Sequence, residues 1–497
     1  MKQFLPLLVF TTGFSVALAA DNKSADQAIV GAEHAAIGMG SGPNIILKNT
    51  HPDAQWFGNA GLGLFIHWGI ASVKAINISH PMIAYLPRGL MSEDTRERLL
   101  QTKDFRGQDG KSRCVIPSEY FDQAKEFNPK NFDPDQWMKA AKEAGFTYAV
   151  LTTKHHEGFA MWPSAYGDFS TRNYMGGRDL VKEWVDACRK YGIKIGLYYS
   201  GPDFYFDREY MNFVARSTAQ EHPEFPELDV NFNPRTTKKS PEWIAEHQKA
   251  FATMFNGQVE ELLTRYGKID MIWFDGDVLK WVGTNHFISL ERMRELQPGI
   301  VINPRTHKAG DYTTFERTLK IDKPIKSWGE LCDTWTTTWS HVDNLPFRAP
   351  HYVLGNLTAC HALNINYLIG VGPTKEGEFV PEIYKNFAIL GDWMKVNHDA
   401  VTRAKSLPDS ERASVPASAL DKSRYLFVQA NSKGKYAEDL LPATDVALTL
   451  TGVEKPLSVI LTSDGKPLDF TYIDNKITIQ LPAYKRSTGV DVVKVDF

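Results

Sequence analysis

The chain has 497 residues and a formal net charge of −3, with Lys and Arg scattered along its length, a pattern that leaves no electrostatic footprint for nucleic acid. That length accommodates a (β/α)8-sized unit plus a second module. Aromatics make up 12% of the residues and include 12 Trp, which suits a site whose walls stack on ring-shaped ligands, although most aromatics in any chain fill its core.

Met1-Lys2, the apolar run from Phe4 to Leu18 and the small residues Ala17, Ala19 and Ala20 have the layout of a cleavable export signal over residues 1–20. The expected location is therefore periplasmic or secreted. No later stretch has the length and apolarity of a spanning helix, so no membrane partner is expected for the mature chain. Cys114, Cys188, Cys332 and Cys360 show neither C-x-x-C nor zinc-site spacing, and at most one disulfide is expected.

Residues 21–50 are polar and irregular and read as a lead-in segment. The barrel-sized unit follows over residues 51–401. Its first strand, Gly61 to Ile66, closes on His67-Trp68-Gly69. Residues 74–118 mix Pro81, Pro87 and Gly89 with charges and read as a long excursion over one face, the kind of loop that is usually functional. Asp133-Pro134-Asp135 then starts a helix whose stripe of Trp137, Ala140, Ala141 and Ala144 stops at Gly145. The strand Phe146 to Leu151 follows and ends in a polar run containing His155, His156 and Glu157. The unit repeats: helix Asp179 to Tyr191 with strand Ile193 to Ser200, a helix launched by Ser240-Pro241 with strand Asp270 to Asp275, and helix Phe287 to Leu296 with strand Gly299 to Arg305. A further strand is expected to end near Ser327 to Glu330. Helix Tyr352 to Ala362 precedes strand Ile365 to Gly372, and helix Glu382 to Val396 closes the unit.

Strands alternating with helices, with polar residues at each strand's C-terminal end, predict an α/β fold with a parallel (β/α)8-like barrel. Gly61 and Gly63 lie inside a strand rather than between a strand and a helix, so they do not form a dinucleotide fingerprint. From Thr402 the texture changes. Short runs such as Tyr425 to Val428, Val446 to Leu450, Leu457 to Leu461, Ile477 to Ile479 and Val492 to Val495, separated by turn signals, predict a small β-sandwich over residues 402–497.

On the barrel reading one face collects His67, Trp68, His155, His156, Glu157, Tyr198, Trp273, Asp275, Asp277, Arg305 and Glu330. Imidazoles and an Arg read hydroxyls, aromatics stack on a ring, and carboxylates do acid, base or nucleophile work. Each residue alone has a plainer reading: Trp68 and Trp273 are as readily core, and Asp before Gly is ordinary turn chemistry. His155 and His156 are adjacent and are expected to point in different directions, so no metal site is expected. Two carboxylates flanking a glycosidic bond are the usual apparatus of sugar hydrolysis. Asp275 fits the ionised role beside Arg305. Its partner is Glu316 or Glu330, and local sequence does not rank them.

The strings FIHWG (Phe65 to Gly69), LTTKHHEGFAMWPS (Leu151 to Ser164), RDLVKEWVDACRKYGIKIGLYYS (Arg178 to Ser200), DMIWFDGD (Asp270 to Asp277) and the GVGPTKEG run (Gly370 to Gly377) resemble family 29 glycoside hydrolases, the retaining α-L-fucosidases. The resemblance spans residues 55–400. It implies an exo-acting enzyme on a glycan, a barrel followed by a β-sandwich, and no metal or organic cofactor. It makes Asp275 the nucleophile and His67, His155, His156, Tyr198, Trp273 and Arg305 sugar contacts, with Trp68 a further candidate. Glu316 stands at the spacing after Arg305 where part of the family carries its acid/base, which places it above Glu330. The chain lacks the Glu-Trp-Tyr-like string many members carry after the first strand; it reads Ala75-Ile76-Asn77-Ile78-Ser79-His80-Pro81-Met82 there. Ile302-Asn303-Pro304-Arg305 replaces the familiar Val-Asn-Asp-Arg. These departures leave α-L-galactose open as the sugar. A non-catalytic carbohydrate-binding protein is the rival from another class, disfavoured by the presence of Asp275. An oligomer is not excluded.

Overall fold

The computed structural model describes residues 44–276 and 287–497. The expected export signal, most of the lead-in and Asp277 lie outside the described residues. Eight strands, β1 (Leu62–Ile66), β2 (Tyr148–Lys154), β3 (Lys194–Ser200), β4 (Met271–Asp275), β5 (Val301–Ile302), β6 (Tyr312–Glu316), β7 (Trp328–Thr334) and β8 (Ile365–Val371), form one sheet. Every pairing in it is parallel, in the order β5-β4-β3-β2-β1-β8-β7-β6. Such strands are covered on both faces, which is why they read as continuous apolar runs rather than alternating ones.

Around the sheet stand α1 (Pro134–Glu143), α2 (Leu180–Tyr191), α3 (Pro241–Thr264), α4 (Leu290–Leu296), α5 (Pro350–Ala362) and α6 (Pro381–Thr402). The first four begin alike. Asp133, Asp179, Ser240 and Ser289 each accept the backbone N–H three residues on, at Gln136, Lys182, Trp243 and Arg292. The Ser289 cap starts α4 three residues later than the apolar pattern from Phe287 suggests.

Three strand expectations change. The segment expected to end near Ser327–Glu330 instead begins there and runs to Thr334 as β7. The segment expected over 299–305 is a ladder at only two residues, because the Asn303 side chain takes over the pairing: its Oδ1 accepts Phe274 N–H at 2.8 Å and its Nδ2 donates to Phe274 O at 2.8 Å. β6 has no counterpart in the sequence reading, although Tyr312-Thr313-Thr314-Phe315 is rich in strand formers.

The barrel nearly closes where β5 meets β6, and Asp311 fastens that seam. Its backbone N–H donates to Ile302 O at 2.7 Å, while its carboxylate accepts Ile302 N–H at 2.6 Å, Asn49 N–H at 2.6 Å and the Arg294 guanidinium at 2.8 Å. The end of the lead-in is therefore ordered against the barrel rather than irregular: Ile45–Ile46 pairs in parallel with Ala309–Gly310 in a separate two-stranded ladder. Asn49 Nδ2 also donates to Pro298 O and Ile300 O, both at 2.9 Å.

Inside the barrel Glu330 is fully buried and accepts from Tyr148 OH at 2.7 Å, Trp273 Nε1 at 2.8 Å and Tyr312 OH at 3.1 Å. It points into the floor of the barrel, not onto the C-terminal face where the sequence reading put it. All four cysteines are buried and unpaired.

α6 ends at Thr402, and antiparallel strands begin at Lys405. They form a five-stranded and a four-stranded sheet that share one apolar core, with Leu426, Val459 and Val493 from the first meeting Leu448, Ile477 and Ile479 from the second. This sandwich packs on α5 and α6. Trp393 Nε1 donates to Val490 O at 2.7 Å and Thr462 Oγ1 to Asn397 Oδ1 at 2.7 Å. No helix among the described residues is long and apolar enough to cross a membrane.

Replacing Asp311 with Ala leaves the N–H groups of Asn49 and Ile302 without a partner at the seam. The expected cost is about 2–4 kcal/mol, read as a lower denaturant midpoint, with Asp311→Asn losing part of that. An unchanged midpoint would show that the seam does not depend on this carboxylate.

Candidate active site

At the C-terminal ends of the strands a pocket is lined by Phe65, His67, His80, His155, His156, Tyr198, Trp273, Asp275, Arg305, Glu316 and Trp339. Its centre is a buried triad of charges. Arg305 donates through Nη1 to Asp275 Oδ1 at 3.0 Å and through Nη2 to Glu316 Oε2 at 2.6 Å, and lies over the Trp273 ring at 4.5 Å. Tyr198 OH donates to the other Asp275 oxygen at 2.9 Å. Burial works against ionising Asp275, but the Arg305 charge outweighs it and holds the carboxyl below its ordinary range.

The imidazoles have assigned roles. Ser200 Oγ donates to Pro202 O at 2.5 Å, so at 2.6 Å from His156 Nδ1 it can only accept. His156 is thereby the Nδ1–H tautomer, and its Nε2 lone pair stands 3.5 Å from Asp275 Oδ2. Ser79 Oγ donates to Glu157 and contacts His155 Nδ1 at 2.7 Å, which puts His155 in the same tautomer while Glu157 is ionised. Burial pushes the Glu157 carboxyl up to about 7. It holds His67 and His156 down at about 3, and His155 well below its ordinary value. The pocket thus presents neutral imidazoles.

His155, Tyr198 and Trp273 stack successively, at 5.2 Å and 5.5 Å between ring centroids. Phe65, Trp273 and Trp339 make the pocket's other side aromatic, with His67 4.8 Å from Trp339.

The hairpin carrying the two histidines is locked from behind. Buried Lys154 pairs with Asp203 at 2.9 Å, and Phe204 N–H donates to His156 O at 2.7 Å. Gly158 has φ 93°, and a Cβ there would fall 2.1 Å from Asp203 Oδ1, so only glycine fits. Ser79 is a second constrained point. Its φ of 57° and ψ of −45° lie outside the favoured regions for a non-glycine residue, a cost of order 1–3 kcal/mol.

Of the residues singled out from sequence, His67, His155, His156, Tyr198, Trp273, Asp275, Arg305 and Glu316 meet in this pocket. Trp68 does not. It packs among Phe127, Phe132 and Trp137, and its Nε1 donates to Thr374 O at 3.0 Å. Its neighbour His67 takes the inward direction at the strand's end, so Trp68 points away. His155 and His156 do not diverge as expected: a bulge in the β2–β3 register between Thr152 and Lys154 turns both rings toward the pocket, 4.2 Å apart. Together with Asp275 they offer ligand atoms within 4.8 Å of one another. Arg305 already supplies the cation that Asp275 binds there.

Sequence reasoning missed Phe65, His80 and Trp339 as wall residues. His80 sits in the long excursion over 74–118, and Trp339 in the polar Thr336-Thr337-Thr338-Trp339-Ser340 run beyond β7. An aromatic in a loop of hydroxyl residues was the available signal.

A parallel barrel whose strand ends gather two carboxylates, a bridging Arg and ring-stacking aromatics defines a glycoside hydrolase scaffold. The family model for alpha-L-fucosidase matches residues 40–399. The chain belongs to that family, glycoside hydrolase family 29, and is a glycosidase. Among curated relatives, the tissue alpha-L-fucosidase of Bos taurus is 25% identical over 444 residues, covering 84% of each chain. That of Homo sapiens is 27% identical over 372 residues, covering 72% of this chain and 71% of its own. The alpha-L-fucosidase isoenzyme 1 of Paenibacillus thiaminolyticus superposes with a TM-score of 0.66 at 25% identity, covering 90% of this chain and 98% of that one. An alpha-L-fucosidase of Bacteroides thetaiotaomicron, at 23% identity and a TM-score of 0.65, shares the fold.

An imidazole that ionises at about 3 in the fold and near 6.5 in the unfolded chain favours the fold above pH 6.5, and that contribution is lost as pH falls toward 3. Raising the Glu157 carboxyl acts oppositely, weakening the fold as pH rises toward 7. The His67 part is isolated by comparison with a variant. The stability difference between the parent and His67→Gln should shift toward the variant by up to about 1.4 kcal/mol per pH unit between pH 6 and 4. A pH-independent difference would mean that His67 is charged in the fold.

Proposed function

We propose that the enzyme removes terminal α-L-fucose from glycans by double displacement, with Asp275 as nucleophile and Glu316 as acid/base. The observation that carries this reading is the single buried guanidinium of Arg305 joining the two carboxylates in the wall of a pocket lined by imidazoles and aromatic rings. Asp275, kept ionised by Arg305, attacks the anomeric carbon, and the bond to the leaving oxygen breaks as Glu316 gives that oxygen its proton. Glu316 then takes a proton from water, whose oxygen displaces Asp275 and releases the sugar with retained configuration. His155 and His156 accept hydrogens from ring hydroxyls through Nε2. The opposed acceptors His156 Nε2 and Asp275 Oδ2, 3.5 Å apart, are suited to sharing one such hydrogen. A fucosidase of Bacteroides thetaiotaomicron sharing the fold is described as trapped in a covalent intermediate with 2-fluoro-fucosyl fluoride, which supports double displacement by analogy.

The aromatic side, Phe65, Trp273 and Trp339, suits the methyl of L-fucose. An apolar wall rejects an added hydroxyl only weakly, so an aryl α-L-fucoside should exceed the matching α-L-galactoside in kcat/KM by about 10- to 100-fold. Asp275→Gly should lower kcat on the fucoside by about 10³-fold or more. Azide should restore Glu316→Ala and give a glycosyl azide of retained configuration. Rescue of Glu330→Ala instead would move the acid/base role. Galactoside preference would change the sugar, and binding without turnover would make the protein a lectin-like binder.

Residues 1–20 are proposed to direct export, on the layout of the apolar run before Ala19-Ala20. N-terminal sequencing of the mature protein should start near Asp21. A mature chain that keeps Met1 would count against it.

A further inference from the structure

One wall residue is unaccounted for by this mechanism. His80 opens the short turn His80–Met82 and reaches the pocket with its ring 6.1 Å from His155 and 6.0 Å from His156, edge-on to both. The three imidazoles form one polar face, but their partners differ. His155 is tied to Ser79 and His156 to Ser200. Among the described residues neither ring nitrogen of His80 has a hydrogen-bond partner, and the side chain is only half-buried, so both nitrogens are open to a ligand.

The chain holds His80 there at some cost. The preceding residue, Ser79, is buried and carries the unfavourable φ of 57°. That conformation is pinned by four bonds: Ser79 N–H donates to Tyr120 OH at 2.7 Å, Ser79 Oγ donates to Glu157, accepts Glu157 N–H at 2.9 Å, and meets His155 Nδ1 at 2.7 Å. Pro81 follows, and its carbonyl accepts Val115 N–H at 2.9 Å. A strained residue fixed on one side and an anchored proline on the other aim a free imidazole into the pocket. The same Ser79 that sets the His155 tautomer therefore also sets the position of His80.

We propose that His80 is a substrate-binding residue that hydrogen-bonds a ring hydroxyl of the terminal sugar and so selects the hydroxyl pattern the pocket accepts. Its neighbours are imidazoles, and no bond ties it to Asp275, Arg305 or Glu316, so it reads the ring rather than the reacting centre. An imidazole nitrogen can donate to or accept from a hydroxyl, so either free ring nitrogen suits one. The proposal rests on the pocket being the monosaccharide site.

The test is a cycle between protein and substrate. kcat and KM are measured for the parent, His80→Ala and His80→Gln on 4-nitrophenyl α-L-fucoside and its 2-, 3- and 4-deoxy analogues. His80→Ala should lose about 10- to 100-fold in kcat/KM on the full substrate, mainly through KM, with His80→Gln recovering part of it. On one deoxy analogue the penalty should shrink to about threefold or less, because the hydroxyl it served is gone. An equal penalty on every analogue would reduce His80 to a structural element of its turn, and no penalty on the full substrate would remove it from the site. If the parent does not hydrolyse the fucoside, the enzyme reading fails. The same cycle, read by titrating free L-fucose and its deoxy forms, then decides the contact, and no binding by the parent overturns both.

Discussion

The site depends on one guanidinium. Arg305 is almost wholly buried, as are the two carboxylates it bridges, and removing such charges from water costs several kcal/mol per ion unless each is paired and hydrogen-bonded. Its planar fork answers both demands at once, with separate nitrogens for Asp275 and Glu316, where the single ammonium of a lysine would serve one geometry poorly. The indole of Trp273 supports the guanidinium face, and Glu330 in turn fixes that indole from below. Three buried acidic side chains of the barrel therefore have separate tasks. Asp275 and Glu316 share the cation at the rim, while Glu330, surrounded by Tyr148, Trp273 and Tyr312, is a hydrogen-bond hub whose carboxyl burial pushes above its ordinary range.

The position of Arg305 follows from backbone chemistry two residues earlier. Asn303 ends β5 by bonding the backbone of Phe274 through its side chain, which lets the main chain leave the sheet at Pro304 while the two strands stay in register. Thr306 Oγ1 then donates to Gly276 O at 2.8 Å, tying the departing segment to the turn after Asp275. Asp275 and Arg305 are thus delivered by adjacent strand ends joined above the ladder. Asp311, a few residues on, fastens the seam from which β6 rises to deliver Glu316.

Most of this was legible where chemistry is local. Capping residues announced α1 to α3, and apolar runs between polar ends announced β1 to β4 and β8. Asp275 could be separated from ordinary turn chemistry only by its company at the other strand ends. What escaped was decided by tertiary geometry. β6 is half-polar and only partly buried because it borders the seam, so its apolar pattern is weak. Glu330 lies at an interior strand position indistinguishable by sequence from one at the rim, and only its three aromatic donors reveal the difference. His155 and His156 converge because of a register shift that no periodicity encodes.

The proposed mechanism also accounts for two carboxylates sharing one cation. On the proposed mechanism Glu316 takes up a proton from solvent before the first step, which weakens its pairing with Arg305 and leaves the guanidinium chiefly to Asp275. A sugar entering the pocket competes for these groups, since its glycosidic oxygen needs Glu316 as a donor. Nucleophilic attack then consumes the negative charge of Asp275, while loss of its proton restores that of Glu316. On that mechanism Arg305 faces about one net carboxylate charge once Glu316 is protonated, first on Asp275 and then on Glu316. A buried guanidinium placed between the two groups can follow that exchange by shifting between partners already within its reach, with little need for solvent to reorganise around it.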